Sequence, residues 1–193
     1  MKVSIMGSGR GSNAEALLQA EKSSQLGKAE IVGLLTDSET SRFRELANTT
    51  QKPFSHIDPG PYRTRMSEEA EHACVNQLKE WNTELVVLAG FMRVVKKPLL
   101  DAFPHHIINL HPSLLPKYPG LDAVKRAYEA GESQTGCTVH RVTAEVDAGT
   151  IIAQKSVPIQ SGESYESVLE RVHAAEHSLL PEVVCELSKE HHV

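Results

Sequence analysis

"KVSIMGSGRGSNAEALL", residues 2–18, decides the fold. "KVSIM" reads as a strand. Residues 13–25 read as a helix that carries Ala14, Leu17, Leu18 and Leu26 on one stripe. Between them Gly7, Gly9 and Gly11 form a turn in which the backbone can adopt torsions that side chains resist. The same alternation repeats downstream. "EIVGLL" is a second strand, 41–51 a helix, "PFSHI" a weaker strand, 67–81 a helix, "ELVVLAG" the clearest buried strand, 97–102 a short helix and "HIINL" another strand. Strands alternating with helices predict βαβ units and a mostly parallel sheet, with ligands at the strands' carboxyl ends. After residue 120, "AVKRAYEAG" is a helix stopped by Gly131. "GCTVHRV" and "TIIAQKSVPI" are an antiparallel strand pair, and 164–187 is a last helix. The expected class is α/β, a Rossmann-like mostly parallel central sheet flanked by helices, with an antiparallel C-terminal strand pair.

Composition narrows the function. The chain has 193 residues, 40% hydrophobic and 23% charged, as in an ordinary soluble protein, and this length suggests one domain over 1–193. A net charge of −5 argues against nucleic acid as partner, and no apolar run reaches membrane-spanning length. The N-terminus does not resemble a signal peptide. Cys74, Cys137 and Cys185, odd in number and far apart, read as reduced thiols. The expectation is a cytoplasmic protein, monomer or homodimer.

The glycine turn opens onto a helix N-terminus, whose free amides and partial positive charge suit a phosphate. Ser12 or Asn13 could cap this helix. The dinucleotide fingerprint needs glycine where Ser12 stands, and the Walker loop's Gly-Lys-Ser/Thr is absent. A plain strand-to-helix turn remains the alternative.

In "IINLHPSLLP", residues 107–116, Asn109 and His111 are two apart and Pro112 keeps His111 extended, so both project the same way from a strand's end. Two hydrogen-bond donors aimed at one place suit an oxyanion forming at a carbonyl, and a protonated His can also pass a proton. The alternative is a strand-end cap and a structural His. Asp147, in the turn "EVDAG", would raise the pKa of a neighbouring His111 and keep it partly protonated near neutral pH; otherwise it is an ordinary turn residue. Glu176 falls inside the last helix's apolar stripe of Leu169, Val172, Leu179, Leu180 and Val183, with His173 at its edge. Such a carboxylate holds either a substrate cation or a salt bridge within the fold. Phe91, Met92, Val94 and Val95 leave a buried strand and could line a flat ligand's slot, although Phe91 reads better as core. The remaining histidines, including His105, His106, His191 and His192, lack a metal-site pattern and read as surface residues.

Together, "SGRGSN", "VVLAGFMR", "INLHPSLLPKYPGLDA", "TGCTVHRV", "VDAGTIIAQKSVPI" and "RVHAAEHSLLP", in this order, resemble the folate-dependent phosphoribosylglycinamide formyltransferase family of purine synthesis, nearly end to end. "NLHPSLLP" with "DAG" belongs to the wider formyl-folate group. The resemblance implies transfer of a formyl group from the co-substrate 10-formyltetrahydrofolate to the amine of glycinamide ribonucleotide, without a metal. By position, Asn109, His111 and Asp147 match the catalytic trio. Gly11, Ser12 and Asn13, with Ala14 and Glu15, would meet the ribose phosphate, and Glu176 and His173 the glycinamide. Met92, Arg93, Val94 and Val95 would line the folate pocket, together with Asn109 and the segment Thr143, Ala144, Glu145, Val146 and Asp147. A basic residue that usually contacts the folate does not align cleanly in "YRTRMSEEA"; Arg63 or Arg65 could fill the role, Arg65 being the one assigned. Phosphate binding would then belong to about 1–100, folate and catalysis to about 101–193. Methionyl-tRNA formyltransferase and formyltetrahydrofolate deformylase share the chemistry but normally carry an additional domain. A non-catalytic nucleotide-binding module is the alternative from another class.

Overall fold

A computed structural model describes residues 1–190. Its centre is β4 (Leu85–Leu88), buried along its whole length, which is why "LVVL" is apolar without alternation: helices cover both faces of the sheet. β1 (Lys2–Met6), β2 (Glu30–Thr36), β3 (Phe54–His56) and β5 (Ile107–His111) join it in parallel. β6 (Gln134–Arg141) runs antiparallel to β5, and β7 (Ile151–Pro158) antiparallel to β6, giving the order β3-β2-β1-β4-β5-β6-β7. The expected antiparallel pair is present, and its first strand also opposes β5.

Side chains divide between two layers. On one face α1 (Ser12–Lys22), α2 (Phe43–Thr50), α5 (Ala123–Glu129) and α6 (Tyr165–Glu190) pack with Val3, Ile5, Ile108 and Leu110. On the other, α3 (Glu68–Glu80) and α4 (Lys97–Ala102) pack with Met6, Val86, Leu88 and Ile107. The buried Glu71 carboxylate ties the second layer together, accepting the amide of Lys96 at 2.8 Å where α4 begins. No described helix is long and apolar enough to cross a membrane.

The strand order reverses between β1 and β4, so the loops that follow these strands diverge to opposite faces and leave a crevice at their carboxyl ends. Ser8 bridges its two lips: its amide donates to the Gly90 carbonyl at 3.1 Å and its hydroxyl accepts from the Met92 amide at 2.9 Å. Gly7 must be glycine here, since a Cβ would lie 2.4 Å from the Phe43 ring.

Candidate active site

The crevice is built from loops that leave β1, β4 and β5, with additions from β6 and α6. Gly11 caps α1 in the left-handed region at φ 73, and no side chain caps the helix, contrary to the expectation for Ser12 or Asn13. The first amide with a backbone acceptor is that of Glu15, which donates to the Gly11 carbonyl at 2.8 Å. The amides of Ser12, Asn13 and Ala14 are thus available at the positive end of the helix. Ala14 can contribute only its backbone, because its methyl is core. Glu15 has already used its amide, and its carboxylate would repel a phosphate.

Asn13 turns its side chain elsewhere: its Nδ2 donates to Glu176 Oε2 at 3.2 Å. Glu176 is 5% exposed, and burial pushes its carboxyl up to about 7, against the smaller downward pull of Asn13. No salt bridge to Glu176 occurs among the described residues, so its ion pair within the fold is not found. His173, one turn earlier on α6, is exposed, and its side chain makes no hydrogen bond among the described residues. Asn13 at the start of α1 and Glu176 on α6 thus meet although 163 positions separate them.

On β5, Leu110 packs into the α1–α6 layer while Asn109 and His111 project to the other face, as the two-residue repeat requires. Asp147, left-handed at φ 53, reaches them from the turn after β6. Its Oδ2 lies 3.4 Å from His111 Nδ1 and accepts the Gly120 amide at 2.8 Å; its Oδ1 lies 3.5 Å from His140 Nε2. Burial alone would raise the Asp147 carboxyl, but the His140 contact, the Gly120 amide and the facing imidazoles outweigh it and hold it below the usual range.

His111 is corrected by the structure. It is 5% exposed, and burial is the largest influence on its ring. The Tyr118 carbonyl, 2.9 Å from Nε2, and Asp147 both favour protonation, yet the net direction is downward. The free protein therefore holds His111 mainly neutral at neutral pH. Tyr118 can only accept, which places the proton of this neutral ring on Nε2 and turns Nδ1 toward Asp147.

His140 is a second correction. Expected at the surface, it is 2% exposed and sits directly across the β5–β6 ladder from Asn109. Its Nδ1 donates to the Arg141 carbonyl at 2.9 Å, so in the neutral ring Nε2 accepts from Asn109 Nδ2 at 3.1 Å. One Asn109 N–H is thereby fixed and the other is left for a ligand. A protonated His140 would instead donate to Asp147 and force the amide to flip. The sequence carried one usable signal: Thr138 and His140 alternate with the core residues Cys137 and Val139, so β6 has a polar face. Only the register against β5 shows what that face meets. His191 and His192 lie outside the described residues.

The loop after β4 is mixed. Met92 is 60% exposed, whereas Val95 is 4% exposed and belongs to the α3–α4 core, so its side chain does not line a slot. Phe91 also packs against that core. The Arg93 guanidinium is held by Asp37 and the carbonyls of Tyr62 and Arg63. Thr143 to Val146 form an exposed strip beside Asp147. Arg65 pairs through its backbone with Val94 and stacks on Tyr62, 3.8 Å from the ring centre; Arg63 is exposed. Two clefts, about 370 Å³ between α3 and α4 and about 550 Å³ between α1 and α6, are lined by none of Asn109, His111 and Asp147; chemistry, not size, marks the site.

The chain as a whole is similar to known proteins. Residues 1–184 match the formyl transferase family. A phosphoribosylglycinamide formyltransferase of Bacillus subtilis is 37% identical over 186 residues, covering 96% of this chain and 94% of that protein. The trifunctional purine biosynthetic protein adenosine-3 of Chironomus tentans is 40% identical over 184 residues, but the chain spans only 13% of that relative's length. Among solved structures, phosphoribosylglycinamide formyltransferase from Bacillus halodurans superposes with a TM-score of 0.90 at 39% identity, covering 97% of this chain and 95% of that one. Glycinamide ribonucleotide transformylase 1 from Symbiobacterium toebii gives 0.91 at 36% identity, covering 98% and 88%.

Proposed function

The chain belongs to the formyl transferase family, and from that premise we propose that it transfers the formyl group of 10-formyltetrahydrofolate to the amine of glycinamide ribonucleotide, a step of purine synthesis. The observation that carries this reading is the Asn109–His111–Asp147 cluster at the mouth of the crevice, with the α1 amides and the buried Glu176 in the same crevice. The amides of Ser12 to Ala14 bind the ribose phosphate, and the Glu176 carboxyl receives polar hydrogens next to the glycinamide. The strips 92–95 and 143–147 hold the folate, with Arg65 at its acidic end, a placement favoured by the pairing of Arg65 with Val94.

In this reaction the amine attacks the formyl carbon and negative charge develops on the formyl oxygen. The free Asn109 N–H donates to that oxygen, and His140 keeps the amide nitrogen turned toward it. His111 supplies the adjustable charge. Its ring is neutral before reaction because burial outweighs Asp147, and an anionic oxygen nearby shifts the balance toward the imidazolium. The proton lost by the amine can thus rest on His111 and return to the folate nitrogen as its bond to the formyl carbon breaks. Asp147 faces the ring through this cycle and stabilises the charged stage. The products are the N-formyl ribonucleotide and tetrahydrofolate.

The test offers glycinamide ribonucleotide, initiator methionyl-tRNA and water as competing formyl acceptors with 10-formyltetrahydrofolate as donor. Formylation of the ribonucleotide alone is expected; transfer to tRNA or simple release of formate would overturn the acceptor assignment.

A further inference from the structure

We infer that Asp37 is a positioning residue for the folate side of the crevice, acting only through Arg93. Asp37 directly follows β2, two strands from β4, and touches neither the catalytic trio nor the phosphate-binding amides. Its side chain is 2% exposed and its Oδ2 accepts from Arg93 Nε at 2.7 Å. The guanidinium then reaches outward, donating through Nη1 to the carbonyls of Tyr62 and Arg63, the latter at 2.8 Å. Beside it the Val94 amide donates to the Thr64 carbonyl at 2.8 Å, and Arg65 pairs with Val94 as an isolated bridge.

Two loops without regular structure of their own, 62–65 and 91–95, are thus stitched together over one buried carboxylate. Loop 91–95 is anchored in the core by Phe91 and Val95, whereas Tyr62, Arg63 and Arg65 of loop 62–65 are all exposed, so polar contacts to Arg93 and Val94 hold that loop in place. An Arg fork carries five donors and no acceptor, so it can join a carboxylate to several carbonyls at once. Removing the carboxylate leaves the guanidinium partly buried and unpaired, which favours its swinging out to water and releasing both carbonyls. Arg93 is therefore spent on architecture, and the folate meets the backbone that Arg93 arranges.

This inference rests on the folate assignment above. Its test measures Michaelis constants for both substrates in Asp37→Ala, Arg93→Ala and the double variant, with thermal melts to establish folding and Asp37→Asn as the milder change. Each single variant should raise the constant for 10-formyltetrahydrofolate by about 10-fold, the scale of coupling within one ionic network, and leave that for glycinamide ribonucleotide within about twofold. The double variant should be no worse than the worse single. Equal rises for both substrates, or additive effects in the double variant, would overturn the proposal. Amide hydrogen exchange separates the two layers of argument: Asp37→Ala or Asp37→Asn should speed exchange at Val94 and spare Glu15. Unchanged Val94 exchange refutes the anchor whatever the substrate. A parent protein that consumes no formyl folate refutes the substrate reading and leaves the exchange result to judge the anchor.

Discussion

Replacing Glu176 with Gln tests the site through stability. The Glu176 carboxyl rises from an ordinary 4.5 to about 7 because α6 and α1 bury it and Asn13 is its only hydrogen-bond partner among the described residues. A group that holds its proton more tightly when folded contributes stability that is complete below its unfolded pKa and is lost as pH rises through the folded one. The affected window therefore runs from about 4.5 to about 7. With each decade of proton affinity worth ~1.4 kcal/mol, the loss across that window amounts to about 3 kcal/mol. Gln has nearly the same shape, keeps an acceptor for Asn13 and never ionises. Glu176→Gln should equal its parent in stability below pH 4.5 and exceed it by about 3 kcal/mol at pH 8, or ~6–12 °C in melting temperature for a chain of this length. Urea unfolding of both proteins at closely spaced pH gives the difference directly, and other titrating groups, including the half-buried His177, cancel. Parallel pH profiles would refute the argument. The stabilised variant should bind glycinamide ribonucleotide more weakly, since the proposed reading assigns the same carboxyl to the substrate.

His111→Ala should lower turnover by at least ~10²-fold with little change in either Michaelis constant, measured by initial rates. In Asp147→Asn the upward influence of the carboxylate on His111 is lost, so the His111 titration followed by NMR should move to lower pH and activity at neutral pH should fall. An unchanged titration would assign Asp147 another role. Gly11→Val forces a branched side chain into φ 73, at roughly 1–2 kcal/mol, with a Cβ 2.9 Å from Leu46. It should raise the Michaelis constant for glycinamide ribonucleotide and spare that for the folate; the reverse pattern would exchange the two pockets.

Helices and strands were legible wherever one local signal dominated. The 3.6-residue stripe marked α1 and α6, the uninterrupted apolar run marked β4, and the short helix at 97–102 was placed to the residue. Asn109 and His111 were legible because their relation is local, two residues apart on a strand. His140 was not, because its meaning depends on standing opposite Asn109 across an antiparallel register that no local pattern encodes. Asp37 was missed for the same reason, its partner lying on a loop 56 residues away. The protonation of His111 was misjudged because a carboxylate neighbour can be guessed from motif, whereas the desolvation that outweighs it requires knowing what surrounds the ring.

The hydrogen bond from Asn13 to Glu176 joins residues 163 positions apart. α6 is held to the opening part of the chain again further along, where Ser188 Oγ donates to the Leu26 carbonyl and accepts the Lys28 amide. During synthesis on a ribosome the glycine turn emerges well before its companion carboxyl, which follows with α6 163 residues after Asn13. Until α6 has followed, this side of the crevice has the α1 wall without the Glu176 wall that Asn13 pairs with. Truncation within α6 acts accordingly: loss from Glu176 onward removes the companion carboxyl with the docking contacts, whereas loss of only the last turns, from Ser188 on, keeps the carboxyl and loosens the helix that carries it.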